Sequence, residues 1–307
     1  MLSSFFTVFQ KGFILFIMMA VGYACGKTGM LTKRGAQQIT SILLYVVTPC
    51  LTIASLQSII GKVEMRSLLA CAAFSVLAMV AAILISKTVF RKSIAERKKV
   101  LQFAAAHSNS SFMGIPLVEA VLGSTGVAYA SMYITVFNLF VWSHGLSSMS
   151  SKKTFRLKQL LLNPGVIGIV IGLPLFAFSY RIPEVLDYPI RSLASLNTPL
   201  AMIVIGSYIS RVNLKELFND ADLYLLSAMR LLVIPLVTFA LLLPFHGDKT
   251  VVSSVLLLCC APTAAVTAMF ASQFGGDARL ASKSVALTTL FSMLTMPVMT
   301  ILAQNFF

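Results

Sequence analysis

Polar residues are scarce in this chain, so the few that interrupt its apolar stretches carry most of the chemical information. The strongest interruption is His107-Ser108-Asn109-Ser110-Ser111, followed closely by Gly114-Ile115-Pro116. A second is Ala261-Pro262-Thr263. Proline inside a helix deletes one backbone hydrogen bond and clashes with the preceding turn, so both places predict broken helices. The second half of a broken helix begins with unpaired N–H groups and a partial positive charge, a setting that attracts anions. Asn109, Ser110, Ser111, Gly114, Pro116, Pro262 and Thr263 are therefore the candidate residues of an anion-binding site. The competing reading is a pair of kinks satisfied by neighbouring helices and never touched by a ligand.

Two ionisable residues fall inside apolar segments, where insertion of each costs about 2.5–3.5 kcal/mol. Glu119, three residues past Pro116, is expected either to carry a coupled proton with a pKa raised by burial or to reach the outer interface. Arg230 is expected either to balance the negative charge of a substrate, or to snorkel to the interface or join a structural ion pair. His107 and His144 read more simply as hydrogen-bonded structure than as proton relays. Catalysis finds no support: there is no HExxH and no intramembrane aspartate pair, and adjacent His107 and Ser108 would point about 100° apart on a helix. The five cysteines show no CxxC spacing, which argues against a disulfide framework, a zinc site or a redox motif. Neither a metal nor a cofactor is expected.

The elements that must position these residues follow from composition. Of 307 residues, 58% are hydrophobic and 11% charged, which is the balance of a protein whose solvent is largely lipid. Ten apolar stretches can be measured against a bilayer, at approximately 5–26, 36–59, 66–88, 99–121, 126–148, 163–180, 189–210, 222–245, 250–272 and 280–305. None shows the alternation of a barrel strand, so an all-α membrane protein is expected. The first stretch lacks a basic start and a cleavage site and is read as a retained span. The net charge of +14 does not indicate a nucleic-acid partner, because the basic residues sit in short connectors. Most of the 24 Lys and Arg fall in alternate connectors, which places both termini outside the cytoplasm. The run from Arg91 to Lys99 reads as an anchor against anionic lipid.

Two halves are related within the chain. Thr48-Pro49 in the second stretch recurs as Thr198-Pro199 in the seventh, and Gly22-x-x-x-Gly26 recurs as Gly168-x-x-x-Gly172. Five spans per half is an odd number, so the repeats must be inverted: 1–148, a cytoplasmic loop at 149–162, and 163–307. The GxxxG pairs allow close helix contact, with packing inside one subunit favoured over dimerisation.

On these motifs the chain resembles the auxin efflux carrier family of secondary transporters, in its short bacterial, malate or malonate permease-like branch. The matching pieces are Asn109 to Leu117, Asn163-Pro164-Gly165, Thr198-Pro199-Leu200 and Ala261-Pro262. The resemblance implies a scaffold of spans 1, 2, 6 and 7, which commonly dimerises, and a moving transport domain of spans 3–5 and 8–10. It also implies that spans 4 and 9 cross at their breaks beside the substrate site. Asn109, Gly114 and Pro116 match the first crossing motif and Pro262 the second, while Pro49, Pro199, Asn163 and Pro164 belong to the scaffold motifs. The function it implies is secondary transport of a small organic anion, such as a carboxylate, by an elevator-type motion in a bacterial inner membrane, with H+ or Na+ as candidate coupling ions. Two alternatives stand beside it: a sodium-coupled carrier of the bile-acid symporter type, and a membrane sensor on a carrier fold. No Walker A motif occurs, so ATP does not drive this chain directly.

Overall fold

The computed structural model describes residues 2–149, 164–212, 217–245, 248–274 and 276–306. Among them every regular element is a helix. In chain order these are α1 (Leu2–Lys27), α2 (Lys33–Ile42), α3 (Thr48–Ser58), α4 (Met65–Val89), α5 (Ala95–Ala106), α6 (Ile115–Phe140) and α7 (Leu146–Met149). The second half contributes α8 (Pro164–Ala177), α9 (Glu184–Ser195), α10 (Asn197–Ile209), α11 (Ala221–Ala228), α12 (Ile234–Leu242), α13 (Lys249–Cys259), α14 (Val266–Phe274) and α15 (Ala278–Phe306). Asn163 and nearly all of the expected central loop lie outside the described residues, and Pro164 opens α8.

Six helices among the described residues are long and apolar enough to cross a membrane: 33–58, 65–92, 125–149, 184–209, 221–242 and 278–303. Four shorter apolar helices, at 13–27, 110–123, 166–177 and 249–259, occupy expected spans 1, 4, 6 and 9. Spans 4 and 9 fall short for a physical reason, since each is cut in two by non-helical residues. Large apolar side chains on the outside, such as Ile17, Leu69, Val170, Leu294 and Val298, are exposed and suit contact with lipid.

Proline accompanies three further irregularities. Three wide, π-helical turns, Leu43–Val47, Ser110–Gly114 and Met229–Val233, each run directly into a helix with proline among its first two residues, namely Pro49, Pro116 and Pro235. A proline ring cannot donate to, or fit against, the turn before it, and the wider turn relieves both conflicts. α6 bends at Gly123, whose φ of 63° and ψ of −157° are open to glycine and strained for other residues.

Glycine sets the closest packing. An added Cβ on Gly22 or Gly206 would collide with backbone of α10 or α1 respectively, at Ile203 and Met19. One on Gly168 would lie 2.9 Å from Thr52 and 3.0 Å from the Pro49 Cα. The two repeated glycine pairs therefore serve contacts within the subunit, α1 against α10 and α3 against α8. Gln57 adds a polar clasp: its side chain donates to the Tyr180 carbonyl and accepts from the Ile182 N–H, both at 3.1 Å, tying the end of α3 to the α8–α9 connector. Arg97 on α5 pairs with Asp220 and Asp222 ahead of and in α11, each at 2.8 Å, and the Asp220 bonds raise its pKa further above the usual guanidinium value.

Gly206→Ala should lower the melting temperature in detergent by several degrees, the result of overpacking costing about 1–3 kcal/mol. Val170→Ala, at an exposed position, should leave it unchanged. Equal melting of the two variants would contradict the backbone contact between α1 and α10.

Candidate functional site

The two polar interruptions meet. α5 ends at Ala106 and α13 at Cys259, and the extended residues that follow pair in an isolated antiparallel bridge between Ser108 and Thr263. The Asn109 N–H donates to the Pro262 carbonyl at 2.6 Å, and the Ala264 N–H donates to the His107 carbonyl at 2.9 Å. The breaks thus satisfy each other as two rungs of a sheet would, which a lone kink in an apolar setting cannot do.

The carbonyls stranded at the C-terminus of α5 are also paired. The Thr263 hydroxyl donates to Ala104 O at 3.0 Å, and Arg230 Nη1 donates to Ala105 O at 2.9 Å and Ala106 O at 3.2 Å. Arg230 Nη2 bonds Cys259 O, the last residue of α13. One guanidinium therefore caps two half-helices at once, with its positive charge against the negative ends of both dipoles. Arg230 is only 1% exposed, so it neither snorkels nor meets a carboxylate, and the expected ion pair is replaced by a set of carbonyls. It projects from the wide turn ahead of Pro235.

Beside the crossing lies a cavity of about 40 Å³ lined by Leu44, Thr48, Asn109, Ser111, Asn138 and Trp142, with Ala264–Val266 at the start of α14. That volume admits a few waters at most. Asn109 and Asn138 are buried, and the side-chain NH2 of each has no hydrogen-bond partner. Unpaired donors in an enclosed place are costly unless a water or a ligand supplies the acceptor. The starts of the Ser110–Gly114 turn and of α14 border the same space.

Of the expected site residues, Asn109 and Ser111 line this cavity, whereas Ser110, Gly114, Pro116, Pro262 and Thr263 do not. Gly114, Pro262 and Thr263 instead shape the crossing. Gly114 lets α13 approach, since a Cβ there would lie 2.7 Å from the Leu258 side chain. Pro262 and Thr263 hold the bridge and the α5 cap through the bonds above. Pro49 sits one residue past the cavity-lining Thr48, and Pro199 lies two past Asn197, whose side chain donates to Ser111 O at 3.1 Å. Glu119 lies on the outer surface of its helix and does not line the cavity. Sequence reasoning overlooked Asn138, Thr48 and Asn197. Asn138 is the one polar residue in the run from Val136 to Trp142, and that isolation was an available signal. His107 is fully buried, bonded through Nδ1 to Phe103 O at 3.0 Å and stacked on the Phe103 ring, as expected of a structural histidine.

The family model described as "Membrane transport protein" matches residues 7–158 and 151–300. An uncharacterized transporter of Methanothermobacter thermautotrophicus is 26% identical over 298 residues, covering 92% of this chain and 93% of its own. An uncharacterized transporter of Methanocaldococcus jannaschii is 25% identical over 302 residues, covering 92% and 94%.

Arg230→Met should leave three carbonyls at the crossing without their donor and cost about 3 kcal/mol or more, read as a large fall in melting temperature. Arg230→Lys should recover part of that loss, because one ammonium cannot span both helix ends. Glu119→Gln should leave the pH profile of uptake as in the parent protein; a flattened profile would restore the proton-carrying role.

Proposed function

Because the chain belongs to the membrane transport protein family, that of the auxin efflux carriers, and is a multi-pass membrane transporter, we propose that it is a secondary carrier of a small organic anion such as a carboxylate. The observation that carries this reading is the pair of unpartnered amides, Asn109 and Asn138, on one cavity with the starts of two half-helices. Amide N–H groups and helix N-termini are donors without a matching acceptor, and a carboxylate supplies acceptor oxygens and negative charge. Arg230, buried behind the crossing, adds a permanent positive charge to the same region.

The cavity is too small for a dicarboxylate, so binding requires its walls to part. Leu44 and Thr48 belong to the α2–α3 span, while Asn109, Ser111, Asn138 and α14 belong to the crossing and the span beside it. The motion that opens it is a shift of the crossing bundle past α2 and α3, with the Asn197–Ser111 bond exchanged on the way. This supports alternating access of the elevator type, in ten spans arranged as two inverted repeats, with spans 1, 2, 6 and 7 as scaffold and homodimer contact, and spans 3–5 and 8–10 moving. A reporter fused to either end is expected outside the cytoplasm.

The sodium-coupled alternative needs a cage of oxygens for the cation. At the crossing, carbonyls that could contribute are already held by Arg230, which favours a sodium-independent carrier. In proteoliposomes, uptake of labelled small carboxylates should be unchanged when sodium is replaced by potassium. A thermal-shift screen with carboxylates should find a stabilising ligand, and Asn109→Ala or Asn138→Ala should each weaken it at least about tenfold, the scale of one lost hydrogen bond to a charged group. Binding without counterflow would favour a sensor, and an undiminished shift in both variants would move the site elsewhere.

A further inference from the structure

Two histidines lie beside the cavity at the crossing, and the binding of a carboxylate gives neither of them a role. His107 directly precedes the cavity-lining Ser108 and Asn109, and His144 lies two residues past the cavity-lining Trp142. Their rings are nearly parallel, with centres 6.3 Å apart and planes inclined by 22°. His107 Nε2 and His144 Nδ1 are both buried and without a hydrogen-bond partner. The tautomer of the neutral His107 ring is fixed by its other nitrogen: Phe103 O can only accept, so Nδ1 carries the hydrogen that bonds it at 3.0 Å, and Nε2 keeps its lone pair. His107 is fully enclosed, whereas His144 is half-buried and so within reach of water.

We propose that His144 binds a proton that accompanies the anion through the crossing, with His107 Nε2 as the acceptor that holds the resulting imidazolium. The proton comes from water and adds to the free lone pair of the His144 ring, after which both ring nitrogens carry hydrogen. Nδ1–H then donates toward His107 Nε2, directly or through one water, so that two unpaired atoms satisfy each other. His107 is a positioning residue in this arrangement. Its ring is held by Phe103, stacked at 4.1 Å, and by Phe137, edge-on at 6.0 Å.

The charges around the pair decide when the proton is taken up. Lys87 near the end of α4 acts on His144, and Arg230 acts on His107. The charged residues of α5, Glu96 to Lys99, lie at its opposite end, and α14 carries no charged side chain. A proton on the pair thus adds to a region that is already cationic, and a carboxylate in the adjoining cavity offsets the added charge. Anion and proton therefore favour each other's binding, the reciprocal linkage that symport needs, and this consequence rests on the carrier reading above.

Trp142 is the only tryptophan in the sequence and supplies the reading. In the full chain in detergent, its emission should pass through a one-proton transition between about pH 5 and 8, the range in which histidine changes charge. His144→Gln should abolish the transition, and so should His144→Arg, which keeps a permanent charge and stands in should the neutral variant fail to fold. His107→Gln should weaken proton binding about tenfold, the scale of one lost hydrogen bond to a charged group, and an unmoved midpoint removes His107 from the site. In proteoliposomes with the membrane potential clamped, an interior more alkaline by one pH unit should raise the accumulation of labelled malate by about tenfold per proton carried, and should have no effect in His144→Gln. No transition in the parent protein, a transition that survives in either His144 variant, or malate uptake driven equally in parent and variant overturns the proposal. A parent protein that shows the transition and takes up no malate counts against the carrier reading and leaves the proton site standing.

Discussion

Backbone amides and carbonyls that end inside an apolar bundle must find partners there, and the centre of this protein is organised by that requirement. α5 and α13 both stop short, leaving carbonyls that a continuous helix would have paired. Ala104, Ala105, Ala106, His107, Cys259 and Pro262 each receive a donor, from Thr263, Arg230, Ala264 or Asn109. Beside these paired carbonyls, the buried side-chain amides of Asn109 and Asn138 have no protein acceptor. The breaks are as much a means of exposing donors as a defect that must be repaired.

Arg230 makes the arrangement electrostatically coherent. Two helix C-termini brought together place like partial charges side by side, and a bare pair would repel. A guanidinium is the side chain best shaped to reach both, since its fork sends one nitrogen to α5 and another to α13 while the charge stays fixed. The opposite halves of the broken helices present their positive ends nearby. Cation and helix starts together give the crossing a positive electrostatic character, which is the basis of the proposed preference for an anion.

Much of this was legible in the sequence, for identifiable reasons. Prolines and polar runs inside apolar segments located both breaks, because a helix in hydrocarbon has no other reason to contain them. Glycine spacing foretold close packing, and the contact proved to be with backbone. What the sequence left ambiguous depends on which way a side chain points. Thr263 was expected to face the ligand, yet it turns to the Ala104 carbonyl; Arg230 was expected near an interface or a carboxylate, yet the wide turn ahead of Pro235 carries it to the helix ends. Glu119 belongs to the same class, because its distance from Pro116 does not say which face of the helix it occupies, and that face is the outer one.

The chemistry of the contacts also indicates which parts can slide. α1 meets α10, and α3 meets α8, through glycines that bring backbone against backbone, and Gln57 stitches α3 to the following connector. Displacement along interfaces packed this closely costs many contacts together. The crossing meets α10 in part through the amide-to-carbonyl bond from Asn197 to Ser111, and it faces α2 and α3 across a small cavity. A hydrogen bond can be exchanged for another one turn away, and a cavity wall can part without leaving a void in a packed core. Close backbone contacts on one side, and a polar bond with a small cavity on the other, are the features on which the proposed alternating-access motion rests.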